Sequence, residues 1–295
     1  MNYYNENTNK IRRRKVSSND SLSKTAKSSP KIERNVSVNN IKKEDYRRKS
    51  SRVKKKSKRF DVYKLIRPIM CISLVALILI SVVGSVLTIL SLKGAPKVTR
   101  ELIEDNYISS QVISVDKMPS DLKNALVAIE DERFYEHKGV DIQALLRSVV
   151  HNIFSETTQG GSTIEMQISK NLLTNDEKSI KRKIRDIYNA FQMNKIMSKE
   201  EILGVYLNNV YFGKSSYGVA KASQTYFGKD VEDLSLAQCA MLVGITNNPA
   251  KYLDHREAKK RQETILYKMH ELGYITDEEY KESLREEVPF KSEIE

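Results

Sequence analysis

Glu130 and Asp131 stand side by side in "AIEDERFYEHKGVD", residues 128–141, which packs five acidic residues, two basic residues and one of the chain's 4 histidines into 14 positions. A carboxylate at the rim of a cleft loses part of its hydration and can then act as a general base near neutral pH. Read alone, the stretch fits a solvated helix end better than a base in a cleft, with Asp131 shaping the turn. A second stretch, "QGGSTIEMQISKN" at 159–171, sets two glycines beside the hydroxyls of Ser162 and Thr163. Exposed backbone N–H groups and hydroxyls of that kind can surround an anion, although no G-K-S/T follows and a nucleotide P-loop is excluded. Gln167 and Lys170, three apart, could share one helix face. A third stretch, "KSIKRKIRDIYNAFQMNK", gathers Lys181, Arg182, Lys183 and Arg185 around Asp186. It suits a phosphate-bearing ligand or a wet helix face.

The elements that must position these groups read as helices. Ser120 or Asp121 starts one, with apolar spacing at Leu122, Ala125, Leu126 and Ile129. Others are expected at "DIQALLRSVVHNI", "IEMQISKNLL", residues 180–208, "SSYGVAKASQTYFG", "SLAQCAMLVGI", a long amphipathic stretch ending at Gly273, and a short one over 276–288. Ser198, followed three residues later by Glu201, reads as a capping box that divides 180–208. Hardly any segment alternates with a strand period, so the expected class is mainly α.

Upstream, Pro68 to Leu92 runs for 25 residues without a charge. At about 1.5 Å per residue it crosses a hydrocarbon core of roughly 30 Å. It lacks the short basic start and cleavage site of a secretory signal, so an uncleaved single span is expected. Residues 1–67 carry 22 Lys/Arg against 6 Asp/Glu, and the remainder 28 against 32. Basic residues beside the span favour the cytoplasmic side, which puts the body outside. The division expected is a basic disordered arm (1–67), a membrane helix (68–92), a connector (93–118), a catalytic domain (119–285) and a tail (286–295). The arm's charge is explained by anionic lipid, and no folded recognition motif supports nucleic-acid binding. Cys71 and Cys239 lie too far apart to pair, and the lack of C-x-x-C together with few histidines argues against a zinc site.

In order and spacing, these stretches resemble the family 51 peptidoglycan glycosyltransferases, which polymerise lipid II. The first motif of that family, E-D-x-x-F-x-x-H-x-G, stands here as Glu130, Asp131, Phe134, His137 and Gly139. The second, G-x-S-T-x-x-x-Q-x-x-K-N, stands as Gly160, Ser162, Thr163, Gln167, Lys170 and Asn171. Arg182 and Lys183 open the third, R-K-x-x-E, and the likeness runs over about residues 98–280. It implies a lysozyme-like head with a small membrane-associated jaw. By that resemblance Glu130 is the base toward an acceptor sugar hydroxyl, and Asp186 assists catalysis. The other motif residues named above, from Asp131 to Lys183, would hold substrate: lipid II and the growing glycan strand. Membrane lipid and cell-wall synthesis proteins are the further partners implied. No cofactor is required by the motifs, although some members of the family use Mg²⁺ or Mn²⁺ at the pyrophosphate. His137 is expected to be a local structural or positioning residue.

Three acidic positions depart from the pattern. Asp186 replaces the glutamate of the third motif, Asn194 stands for the glutamate of an L-E pair, and Gly204 for the glutamate of I-L-E-x-Y-L-N. Glu165 and Met166 stand where uncharged polar residues are commoner. Two readings follow: an active polymerase, or a weakly active or non-catalytic membrane scaffold in a wall-synthesis complex. A hydrolase would need an activated water, which nothing in the sequence favours. No S-x-x-K with S-D-N and K-T-G partners occurs in the outer body, so a monofunctional enzyme is expected.

Overall fold

The computed structural model describes residues 62–155, 157, 160–174 and 179–294. The basic arm lies outside them, except that residues 62–67 begin the first helix. Among the described residues the architecture is all helix, with one isolated bridge between Tyr211 and Tyr217.

Helix α1, Val62–Leu92, starts six residues before the expected span and carries Pro68 near its N-terminal end. Its stretch Ile66–Leu92 is 27 residues long, and none of its most apolar window is buried. Nothing among the described residues covers that surface, and the helix is a membrane anchor. At its far end Arg185 donates to the Ser91 and Lys93 carbonyls, at 2.7 and 3.4 Å. Those last-turn carbonyls have no partner within their own helix.

The head is organised around α9, Leu236–Asn247. Its residues from Ala237 to Ile245 are all buried, which explains why it lacks an amphipathic stripe. Helices α3 (Ser120–Glu130) and α10 (His255–Glu271) pack against it. Helix α7, Lys199–Asn209, is buried from Ile202 onward and opens with the expected Ser198–Glu201 capping box.

The connector belongs to this core. Val98, Ile103 and Met118 are buried within it, and α2 (Arg100–Asp105) lies in the same segment. Two side chains at the end of α7 supply the hydrogen bonds that a sheet would otherwise give. Asn208 bonds both the N–H and the C=O of Ile113, and Asn209 accepts from the Ile108 N–H. At the other end, Val288 and Phe290 are each 1% exposed, so residues 286–290 close the core rather than trail from it.

Three further helices frame the cleft, α4 (Ile142–Phe154), α5 (Ile164–Ile168) and α6 (Ile180–Ile196), while α8 (Val219–Phe227) packs behind α7. Helix α5 runs on into a π-helical turn, Ser169–Leu173. Helix α11, Asp277–Arg285, and the short α12, Lys291–Ile294, complete the chain. Helix α4 turns Ile142, Leu146, Val150, Ile153 and Phe154 to the outside, all more than half exposed.

Candidate active site

Glu130 occupies the last turn of α3, where the buried residues Leu122, Ala125 and Leu126 anchor the helix and leave its C-terminal end facing a cleft of about 540 Å³. Its Oε2 accepts from Gln167 Nε2 at 2.8 Å, and Gln167 Oε1 accepts in turn from the Tyr206 hydroxyl at 3.2 Å. Also lining the cleft are Asp131, Gly160, Ser162, Thr163, Lys170, Arg182, Lys183 and Asp186. Ten of the thirteen site residues expected from the sequence, Glu130 and Gln167 included, therefore share one cavity.

The remaining three are placed elsewhere. Phe134 is fully buried, with the Lys199 ammonium 4.1 Å from its ring centroid. His137 packs edge-on to Phe134 and bonds Asp131 through Nε2 at 2.9 Å. Asn171 is exposed on the π-helical turn, outside the cleft lining.

Phe134 and His137 help fix the loop that follows Glu130. The Gly139 N–H donates to His137 Nδ1 at 3.1 Å, so His137 Nε2 carries the proton and donates to Asp131. Asp131 also accepts from the Ile164 N–H at 3.2 Å, while Thr163 donates to the Gly139 carbonyl at 2.7 Å. Thr163 caps α5 as well. The loop after Glu130 and the start of α5, which carries Gln167, are thus clasped together. Gly139 is needed for this: its φ is +100°, and a Cβ there would stand 2.4 Å from the Ala190 carbonyl oxygen.

The cationic wall comes from α6 and the π-helical turn. Lys183 donates to Ser162 Oγ at 2.7 Å, and burial lowers the ammonium's pKa against the opposing pull of Asp186. Lys170 is exposed at the cleft edge. Asp186 is 3% exposed and already engaged: its Oδ1 accepts from Ser169 at 2.8 Å and Thr174 at 3.0 Å, and its Oδ2 lies 3.6 Å from Arg182 Nε. It braces the π-helical turn that presents Lys170, and a shorter side chain than glutamate suits that internal role.

Asp131, His137 and Glu165 are close enough to be considered as a metal cluster. The bond from Gly139 to Nδ1 leaves His137 Nε2 protonated, without the lone pair a metal would need. At the cationic wall the available carboxylate, Asp186, is committed to two hydroxyls and an arginine. Among the described residues, these groups are thus engaged by protein partners.

Sequence reasoning missed the far wall. Asn247, Arg261 and Lys268 line the cleft from α9 and α10. Arg261 and Lys268 are seven apart on one face of α10, a spacing visible in the sequence, but nothing local says that this face meets the cleft. Tyr206 was legible as the tyrosine of I-L-E-x-Y-L-N, with no role attached to it.

A family model described as Transglycosylase matches residues 96–270. The chain belongs to the transglycosylase family. That match begins in the connector, consistent with Val98 and Ile103 being core residues. Penicillin-binding protein 1A of Clostridium perfringens (strain 13 / Type A) is 43% identical over 198 residues, covering 62% of this chain and 29% of that protein. A relative from Cupriavidus necator that carries the name transglycosylase is 42% identical over 179 residues, 59% of this chain and 77% of its own length. The chain thus spans under a third of the Clostridium protein but most of the Cupriavidus one. The crystal structure of Penicillin-Binding Protein 1A from Haemophilus influenzae aligns with a TM-score of 0.38 at 23% identity, over 61% of this chain and 18% of that one.

Proposed function

We propose that this transglycosylase-family protein polymerises lipid II into peptidoglycan glycan strands at the outer face of the bacterial cell membrane. The observation that carries the reading is one cleft holding a hydrogen-bonded carboxylate, Glu130, together with the cations Lys170, Arg182 and Lys183. Those are the two demands of the reaction: a base for a weakly nucleophilic sugar hydroxyl, and positive charge for a departing pyrophosphate.

In this mechanism Glu130 removes the proton from the 4-hydroxyl of the acceptor's N-acetylglucosamine. The oxygen forms a bond to the anomeric carbon of the growing chain's N-acetylmuramic acid, from the face opposite the pyrophosphate. The anomeric carbon–oxygen bond on that side breaks with inversion, and undecaprenyl pyrophosphate leaves with the electron pair. Lys170, Arg182 and Lys183 take up the developing charge, and Ser162, held by Lys183, orients the phosphate end. The exposed apolar face of α4 rests in the leaflet, so that the lipid tails stay in the membrane while their headgroups enter the cleft. The positive arm faces the cytoplasm, where anionic lipid and other wall-synthesis proteins are its contacts.

The test is polymerisation of purified lipid II by the detergent-solubilised chain beside its Glu130→Gln variant. Glycan strands from the parent, reduced about 100-fold or more in the variant, are the expected result. Lipid II bound but never polymerised would instead assign the protein a scaffold role.

A further inference from the structure

We propose that Tyr206 is a positioning residue for the base, acting through the side-chain amide of Gln167. The inference rests on the polymerase reading and deepens it. A glutamine amide has a donor end and an acceptor end of nearly the same shape, and its neighbours decide which way it faces. Here the Tyr206 hydroxyl donates to Oε1 at 3.2 Å, which turns Nε2 toward Glu130 at 2.8 Å. With Oε2 of Glu130 held in this way, Oε1 is left to take a proton from a nucleophile.

The relay crosses three helices. Glu130 ends α3, Gln167 sits in α5, and Tyr206 comes from α7 with only 3% of its surface exposed. None of the three could hold this geometry alone, because Glu130 and Gln167 are each partly exposed while Tyr206 is fixed in the core. Loss of the phenolic oxygen removes the amide's second anchor, so Nε2 is no longer held at one position against Oε2. The base then loses its fixed orientation without any change in the cations that hold substrate.

The experiment measures kcat and KM for lipid II polymerisation by the full chain in detergent. It compares the parent with Tyr206→Phe, Gln167→Met, the double variant and Tyr280→Phe, the same chemical change on α11, away from the cleft lining. Tyr206→Phe is expected to lower kcat by about 10- to 100-fold, the scale of a small misplacement of a reacting group, with KM within about twofold. Added to Gln167→Met, it should cost nothing further, and Tyr280→Phe should match the parent. Thermal unfolding of each variant shows that the fold is kept. An active parent with an equally active Tyr206→Phe overturns the relay alone, as does a loss that multiplies with that of Gln167→Met. A parent that makes no glycan overturns the polymerase reading and takes the relay with it.

Discussion

The ammonium of Lys199 lies 2.7 Å from Oε1 of Glu165, a carboxylate with no exposed surface at all. Asn194 donates to the same oxygen at 2.5 Å, and Oε2 is buried without a hydrogen-bond partner among the described residues. Burial raises the Glu165 pKa, with Lys199 opposing the shift. Glu165 and Asn194, two of the positions that depart from the family pattern, are therefore in direct contact behind the cleft.

Removing the cation should be much worse than removing the acid. Lys199→Met leaves a buried carboxylate without its counter-charge, a loss of about 3 to 5 kcal/mol. Glu165→Gln leaves a lysine whose side chain is 19% exposed and can reach water. Denaturant unfolding at neutral pH checks the order. Equal losses in the two variants would refute it, and the Lys199→Met defect should shrink at lower pH, where Glu165 takes up a proton.

Gly204 cannot be returned to glutamate without harm. A Cβ there would stand 3.0 Å from the Val115 Cβ, with α7 and the residues before α3 already in contact. Glutamate gains up to about 1 kcal/mol of helix propensity over glycine. Overpacking costs about 1 to 3 kcal/mol and should prevail. A lower Tm for Gly204→Glu, partly restored by adding Val115→Ala, is the expected outcome; an unchanged or higher Tm would show that the helices can separate.

The pairing of Arg100 with Glu201 gives a pH signature. Two guanidinium bonds, at 2.6 and 3.1 Å, and then the Ser198 N–H at 2.7 Å hold the Glu201 carboxyl down to about 2, below its ordinary 4.5. A depressed carboxyl contributes stability that is present above its unfolded pKa and is lost as pH falls through the folded one. The Tm difference between the parent and Glu201→Gln should hold steady above about pH 5 and close toward about pH 2. A difference independent of pH would show that the ion pair contributes nothing.

Lys183→Gln should keep the fold and lose rate. Its contact with Ser162 places it where the pyrophosphate charge develops in the proposed reaction. Removing one such group costs about 100-fold in kcat. Polymerisation assays with and without EDTA complete the test: Asp186 at the cationic wall is already held by two hydroxyls beside Arg182, so equal rates are expected. Strict dependence on added Mg²⁺ or Mn²⁺ would contradict that reading.

The helices were legible because their signals are local. Ser198 and Glu201 cap α7 from three residues apart, and the charge-free run to Leu92 marks the membrane helix by composition. The connector was not legible as core, since Val98 and Ile103 are buried by partners far along the chain and Ile113 is held by Asn208 across 95 residues. The tail misled for the same reason: Phe290 packs on Tyr226, ring centroids 5.0 Å apart.

The sequence by itself determined the helical class and the membrane anchor, because residue type and short spacing encode them, and it singled out Glu130, Gln167 and the cations of α6 only through a resemblance in motif order. Only the tertiary structure decided what each group does with its neighbours. It turned Phe134 and His137 inward to hold a loop, tied Asp186 to two hydroxyls, and brought Tyr206 and Arg261 to the cleft region from distant helices. Hydrogen bonds and burial depend on which surfaces meet, and helix periodicity is silent on that.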